Sequence, residues 1–213
     1  MNPSLATAAI VVAAYLVGSV SFAVLTSKLF GLPDPHTYGS GNPGATNVLR
    51  TGNKAAAALT VAGDSLKGWL AVWLAYRLGA NWGEATLASA GAALGVFVGH
   101  LYPVFHRFAG GKGVSTAGGI VFGLSWLLGL ALFAVWLTMA LLSRISSVAA
   151  VTGAMALVPL GFYLLGNGPQ AWALVPIALL LIWRHRSNMK KLLAGEESKI
   201  GGQKTEDGGQ KTD

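Results

Sequence analysis

Residues 113–143 read GVSTAGGIVFGLSWLLGLALFAVWLTMALLS, 31 residues without a charge. Whether they make one helix or two decides the fold. A hydrocarbon core of about 30 Å takes about 20 mostly apolar residues in a helix. The stretch is therefore long for one upright span, while two helices would average about 15 residues, or roughly 23 Å each. Breaks are on offer near Gly118-Gly119, Gly123 and Ser125, and periodicity does not choose among them.

The basic residues do choose, because Lys and Arg of short loops collect on the cytoplasmic side. With two spans in 113–143, Lys28, Arg50, Lys54, Arg107, Lys112, Arg144 and the seven basic residues from Arg184 onward share one side, thirteen of the fifteen in the chain. Arg77 lies opposite and Lys67 inside a span. A single helix would instead leave nine basic residues against five. Two spans are expected, at least one of them short or partly re-entrant.

Working outward, residues 3–27, 55–76 and 85–105 are apolar stretches of spanning length. The first has no basic residue ahead of it and is expected to remain in the mature protein. Residues 145–183 are uncharged and divide at Gly166-Asn167-Gly168-Pro169, a turn-forming run, into 147–165 and 170–183. The expectation is an all-α polytopic membrane protein of seven transmembrane helices, N-terminus outside and C-terminus cytoplasmic. Residues 1–200 form its single domain. Residues 201–213, polar and containing a repeated Gly-Gly-Gln-Lys-Thr, read as a disordered tail.

Composition agrees. Of 213 residues 53% are hydrophobic and 11% charged, against about 25% charged in soluble domains. The chain has no Cys, which excludes disulfides, thiolate metal sites and a cysteine nucleophile.

On the cytoplasmic side the polar residues gather in three blocks. Residues 38–50 (YGSGNPGATNVLR) hold three Gly and a Pro within six positions, a turn with exposed N–H groups, and Arg50, whose fork suits phosphate or carboxylate. Residues 99–116 (GHLYPVFHRFAGGKGVST) place Gly110-Gly111-Lys112-Gly113 where a span begins, so backbone N–H groups and an ammonium converge on one anion. This is not a Walker A loop, because position 106 is His where that motif needs Gly. Residues 183–196 (WRHRSNMKKLLAGE) put His185 and Asn188 on one helical face. Within the second span Asp64 and Lys67 share a face too; a functional pair and an internal ion pair that orients the helix are equally good accounts.

The blocks Gly-Ser-Gly-Asn-Pro-Gly-Ala-Thr-Asn-Val-Leu-Arg (39–50), Gly-His-Leu-Tyr-Pro-Val-Phe (99–105) with Gly-Gly-Lys-Gly-Val (110–114), and Arg-His-Arg-Ser-Asn (184–188) with Leu-Leu-Ala-Gly-Glu (192–196) together resemble the PlsY family of acyl-phosphate:glycerol-3-phosphate acyltransferases. Asp64-Ser65-Leu66-Lys67-Gly68 looks like a family feature as well. The resemblance implies a bacterial inner-membrane enzyme with a cytoplasmic active site. Its reaction would move a fatty acyl group from acyl phosphate to the 1-hydroxyl of sn-glycerol 3-phosphate, releasing lysophosphatidic acid and inorganic phosphate. It further implies an essential serine and arginine at Ser40 and Arg50, with Asn42, Gly44, Thr46 and Asn47 in the same substrate-binding block. Phosphate binding falls to Gly110, Gly111, Lys112 and Gly113, catalytic roles to His185 and Asn188, and a mainly structural role to Glu196. Positions 187 and 189 hold Ser and Met where relatives often carry Glu and Ile.

The chemistry suits these residues. An acyl phosphate is a mixed anhydride, so alignment and charge stabilisation suffice without a strong protein nucleophile. The expected route is direct transfer, with Lys112 and the 110–113 backbone on phosphate, Arg50 and Asn188 orienting glycerol 3-phosphate, and Ser40 positioning the reacting groups. Either His185 or a substrate phosphate oxygen serves as base. The acyl tail is expected to enter between helices along the Gly-rich 113–129 stretch.

Two enzyme rivals fail on the residues. Acyltransferases that use His with Asp five positions later are excluded, since positions 41, 105, 111 and 190 are Gly, Phe, Gly and Lys. A phosphotransferase with an array of metal-binding Asp would find only Asp34 and Asp64 ahead of the tail. The rival from another class is a small organic-anion transporter, which would show related halves and polar residues from both sides. No metal, cofactor or nucleic-acid partner is expected; the partners are the two substrates and the bilayer, and nothing in the sequence sets the oligomeric state.

Overall fold

The computed structural model describes residues 2–200, so the expected tail at 201–213 lies outside the described residues. All regular structure among them is helical. The 113–143 stretch is two helices, α6 (Val114–Leu124) and α7 (Trp126–Ser143), parted at Ser125. Ser125 is extended (φ −160°, ψ 124°) and its hydroxyl accepts the N–H of Leu128 at 3.3 Å, so it ends one helix and caps the next. At 11 residues α6 rises only about 16 Å, short for a span.

Gly119 and Gly123, offered by the sequence as breaks, are helical and used for packing. A Cβ at Gly119 would overlap the carbonyl of Ser65, and one at Gly123 would press on Trp69 O and Val72. Both lie against α4 (Lys54–Gly79), where Gly68 returns the contact toward Thr116. Small residues thus bring the two backbones together, as they do in membrane bundles.

The first apolar stretch also differs from expectation. It is two helices, α1 (Pro3–Gly18) and α2 (Phe22–Leu29), with Ser21 capping the second. The interruption at 19–21 falls inside a 27-residue stretch that is otherwise long and apolar enough to cross a membrane. A short α3 (Ala45–Leu49) precedes α4, which is 26 residues long. Then come α5 (Ala85–Leu101), α8 (Ser146–Leu165), α9 (Pro169–Arg184) and a final α10 (Arg186–Leu193).

By length and composition four stretches qualify as spans: 3–29, 85–106, 126–143 and 146–165; α6 and α9 are apolar but shorter. Helix α5 packs on α1 through Gly91, Gly95 and Gly99, each so close that a Cβ would strike Val11 or Tyr15. It also meets α4 and α9, and α8 joins α7 to α9. The core between them is filled by Phe97, Leu101, Ile120, Leu128, Leu174 and Ile177. The outer face is apolar as well: Leu142, Tyr163 and Trp126 are 70% exposed or more. Such a surface needs lipid to cover it.

Candidate active site

The three polar blocks meet at one end of the bundle, around a cavity of about 470 Å³. Ser40, Asn42, Gly110, Lys112 and Asn188 contribute to its wall, from positions far apart in the chain.

The first block is a loop folded around Asn47. That side chain is buried, donates to Pro35 O (2.8 Å) and Tyr38 O (3.2 Å), and accepts the N–H of Ser40 at 3.0 Å. Its amide is fully committed to the loop, which presents the exposed Ser40 to the cavity. Gly39 (φ +59°) must be glycine both for its backbone and because a Cβ would overlap Asn47. Gly44 caps α3, Thr46 is exposed on it, and Arg50 closes it with a side chain passing beside Gly39. None of these three is on the cavity wall.

The glycine-rich block is gripped from two sides. The Gly111 N–H donates to His100 O at 3.1 Å, so it is spent within the protein rather than offered to an anion. Among the described residues no protein acceptor takes the N–H of Lys112 or Gly113. Arg184 holds the opposite poles: its guanidinium donates to Gly110 O at 2.7 Å and to Gly111 O at 2.9 and 3.2 Å. The glycines are required by packing. Cβ atoms at 110 and 111 would overlap the backbone and ring of His100, and Gly113 (φ +88°) sits on Phe97.

Lys112, the loop's one side chain, donates to Asn188 Oδ1. The Asn188 Nδ2 donates in turn to Glu197 Oε1 at 2.6 Å, and Glu197 also accepts from Ser147 Oγ at 2.8 Å. The amide orientation is thereby fixed, acceptor toward the ammonium and donor toward the carboxylate. Burial, reinforced by the charges of Arg184, Lys191 and Arg50 and opposed by Glu197, brings the Lys112 pKa down to about 8. His185 is buried, with its Nδ1–H donating to Leu181 O at 2.8 Å. That bond places any lone pair on Nε2, and burial lowers the ring's pKa. His185 is not on the cavity wall.

The sequence from 8 to 195 matches the family described as glycerol-3-phosphate acyltransferase. The chain belongs to that family. It is 61% identical to the glycerol-3-phosphate acyltransferase of Cupriavidus taiwanensis over 191 residues, 89% of this chain and 94% of the relative. It is 56% identical to that of Ralstonia nicotianae over 202 residues, 94% of this chain and 97% of the relative. Its fold is similar to the crystal structure of PlsY (YgiH), an integral membrane glycerol 3-phosphate acyltransferase, in its glycerol 3-phosphate form, with a TM-score of 0.83 and 36% identity over 92% of this chain and 96% of that one. The lysophosphatidic acid form of the same enzyme gives 0.81 at the same identity and coverage. This glycerol-3-phosphate acyltransferase family member is an integral membrane protein.

Two of its residues escaped the sequence reading. Arg184, which in the sequence counts only among the basic residues of the cytoplasmic side, clamps the glycine loop and lines the cavity. The glutamate tied to Asn188 is Glu197, whereas the side chain of Glu196, expected to be structural, is exposed and makes no hydrogen bond among the described residues. A helix-face count from Asn188 does not separate the two, because the helix stops at Leu193 and Gly195 (φ +72°) turns the chain before both. Asp64 and Lys67 are away from the cavity wall. They form a buried ion pair of 2.8 Å. Among the described residues no three of His, Asp and Glu gather into a metal-binding group.

Proposed function

We propose that this protein transfers a fatty acyl group from acyl phosphate to the 1-hydroxyl of sn-glycerol 3-phosphate, giving lysophosphatidic acid and inorganic phosphate. The observation that carries the reading is the convergence of Ser40, Lys112 and Asn188 on one basic cavity at the end of the bundle. Two phosphate-bearing substrates need two sets of donors. Lys112 and the N–H groups that follow it serve the donor phosphate, with Arg184 holding the loop in shape; Asn188 on the wall and the exposed Arg50, beside Gly39 at its edge, orient glycerol 3-phosphate.

Transfer is direct. The 1-hydroxyl oxygen attacks the acyl carbon, the bond from that carbon to the phosphate oxygen breaks, and phosphate departs with the electron pair. Lys112 and the loop N–H groups stabilise the charge that develops, and Ser40, held by Asn47, sets the acyl carbonyl against the incoming hydroxyl. The hydroxyl proton passes to a phosphate oxygen of the substrate. His185 sits behind the wall with Nδ1 engaged on Leu181, a placement that suits holding the corner between α9 and α10, and hence Asn188, better than reaching a hydroxyl.

Residues 1–200 act as one domain, with α1–α2, α4, α5, α6, α7, α8 and α9 as seven spans. The N-terminus lies outside and the cavity on the cytoplasmic side of the bacterial inner membrane. Support comes from the basic residues, since Arg50, Lys112, Arg144 and Arg184 all fall at the cavity end of that path. The acyl chain lies between helices beside α6, whose shortness leaves room at one membrane face. Purified protein in detergent or vesicles, given acyl phosphate and labelled glycerol 3-phosphate, should form labelled lysophosphatidic acid. Uptake of label into vesicles without product would make the protein an organic-anion transporter instead.

A further inference from the structure

Asp64, Lys67 and His100 lie inside the bundle, each less than 8% exposed. The ammonium of Lys67 is surrounded by Asp64 Oδ1 (2.8 Å), His100 Nδ1 (2.9 Å), Gly18 O (3.0 Å) and Val20 O (2.7 Å). The last two are carbonyls freed where α1 breaks from α2, and a freed carbonyl within a membrane needs a donor. That accounts for Lys67 and for the Asp64 that balances it. It does not account for His100, whose imidazole could be replaced by an apolar side chain without exposing either carbonyl.

The ring's other edge supplies the reason. Nε2 of His100 faces Gly111 so closely that a Cβ there would overlap it, and His100 O takes the Gly111 N–H. Between Lys67, His100, Gly110 and Gly111 there is no room for a water molecule. The ring is thus held on one side by the buried ion pair and presses with the other on the back of the glycine loop. Arg184 grips the same two residues by their carbonyls from the cavity side.

We propose that His100, fixed by Asp64 and Lys67, is a positioning residue for the reaction: it sets the height of the 110–113 loop so that Lys112 and the loop N–H groups meet substrate phosphate. The inference rests on the reading of that loop as a phosphate site. It places the buried ion pair of α4 at one remove from the catalytic machinery, with His100 as the transmitting part.

Steady-state acyl transfer by the full chain tests it, wild type first, so that a silent wild type is charged to the functional reading and not to this one. His100→Ala, which opens space behind the loop, and Gly111→Ala, which forces a methyl into the ring, should each raise the KM for at least one phosphate substrate about tenfold. In the double variant the new methyl occupies the vacated space, so the KM should stay within about tenfold of wild type rather than multiply to about a hundredfold. Thr60→Val is the control. It removes a buried hydroxyl contact of 2.7 Å from α4 to Thr26 of α2 and should lower the melting temperature with KM unchanged. Should His100→Ala not fold, His100→Ser, which opens the same space, replaces it in the same cycle. Multiplicative losses in the double variant, or a His100 variant that loses melting temperature and keeps its KM, would overturn the proposal.

Discussion

Lys112 and Asn188, 76 positions apart, are joined by a hydrogen bond from the ammonium to the amide oxygen. The link fastens the start of α6 to α10, and it depends on a third residue. Glu197 accepts from the other end of the amide and from Ser147 on α8. Removing that carboxylate frees the amide to turn its N–H₂ toward Lys112, where two donors face each other. Glu197→Ala should lower kcat/KM about tenfold or more, since misplacing a positioning group by an ångström is that costly. Glu196→Ala, one position away, should stay within about twofold, as surface substitutions do. Parallel assays of the two purified variants check this; equal losses would contradict the assignment to Glu197.

A pH profile reads Lys112. Its pKa, brought down to about 8 by burial, means that the free enzyme loses this ammonium above pH 8. The kcat/KM for a phosphate substrate should therefore fall with an alkaline limb near pH 8. Lys112→Arg, charged throughout the range, should be slower at neutral pH but lack that limb. The same shift fixes the sign for stability. The unfolded chain keeps the proton up to the ordinary 10.5. Between pH 8 and 10.5 it binds more protons than the folded protein, and the contribution of Lys112 to stability rises with pH across that window. Lys112→Met removes both dependences.

Arg184 should behave unlike any other basic residue of the last block. It reaches two carbonyls with one planar fork, a geometry that an ammonium cannot copy. Arg184→Lys should cost about tenfold in kcat/KM despite the conserved charge. Lys190→Arg, an exposed residue on the cavity rim, should leave the rate within about twofold. Turnover measured at one pH for both variants checks the contrast.

The absence of cysteine makes sidedness easy to read. Lys54 opens α4 and Asn81 lies two residues past its other end; both are exposed, and the 26-residue helix between them is about 39 Å long. In intact cells Asn81→Cys should react with a membrane-impermeant maleimide and Lys54→Cys only after permeabilisation. The reverse pattern would invert the proposed topology.

What the sequence could carry depended on whether a signal was local. The division of 113–143 followed from charge counting, and Ser125 was among the offered breaks. Its glycine rivals were misleading because within a bilayer helix they serve close approach, as Gly119 does against Ser65, and not interruption. The break at 19–21 had no such signal: its two freed carbonyls are satisfied by Lys67, nearly fifty positions on. The loop residues were legible as a set but not as individuals. Asn47 and Ser40 sit in one polar block, and only the fold separates the buried staple from the exposed hydroxyl. His100 was invisible for a similar reason, being one polar residue at the end of an apolar run whose partners come from α1, α4 and the glycine loop.

If transfer is direct, acyl phosphate alone should leave no acyl group on the protein. Mixing enzyme with a labelled acyl donor, quenching, and weighing the intact chain should return the unmodified mass, and glycerol 3-phosphate should be needed for donor consumption. An acyl adduct on Ser40 would replace direct transfer with a covalent route.

The central claim is the identity of the donor. Purified protein supplied with glycerol 3-phosphate and, in separate reactions, acyl phosphate, acyl-CoA or acyl-carrier protein should make lysophosphatidic acid from acyl phosphate only, with one inorganic phosphate released per product. Comparable product from either thioester, in a preparation free of acyl phosphate, would contradict it.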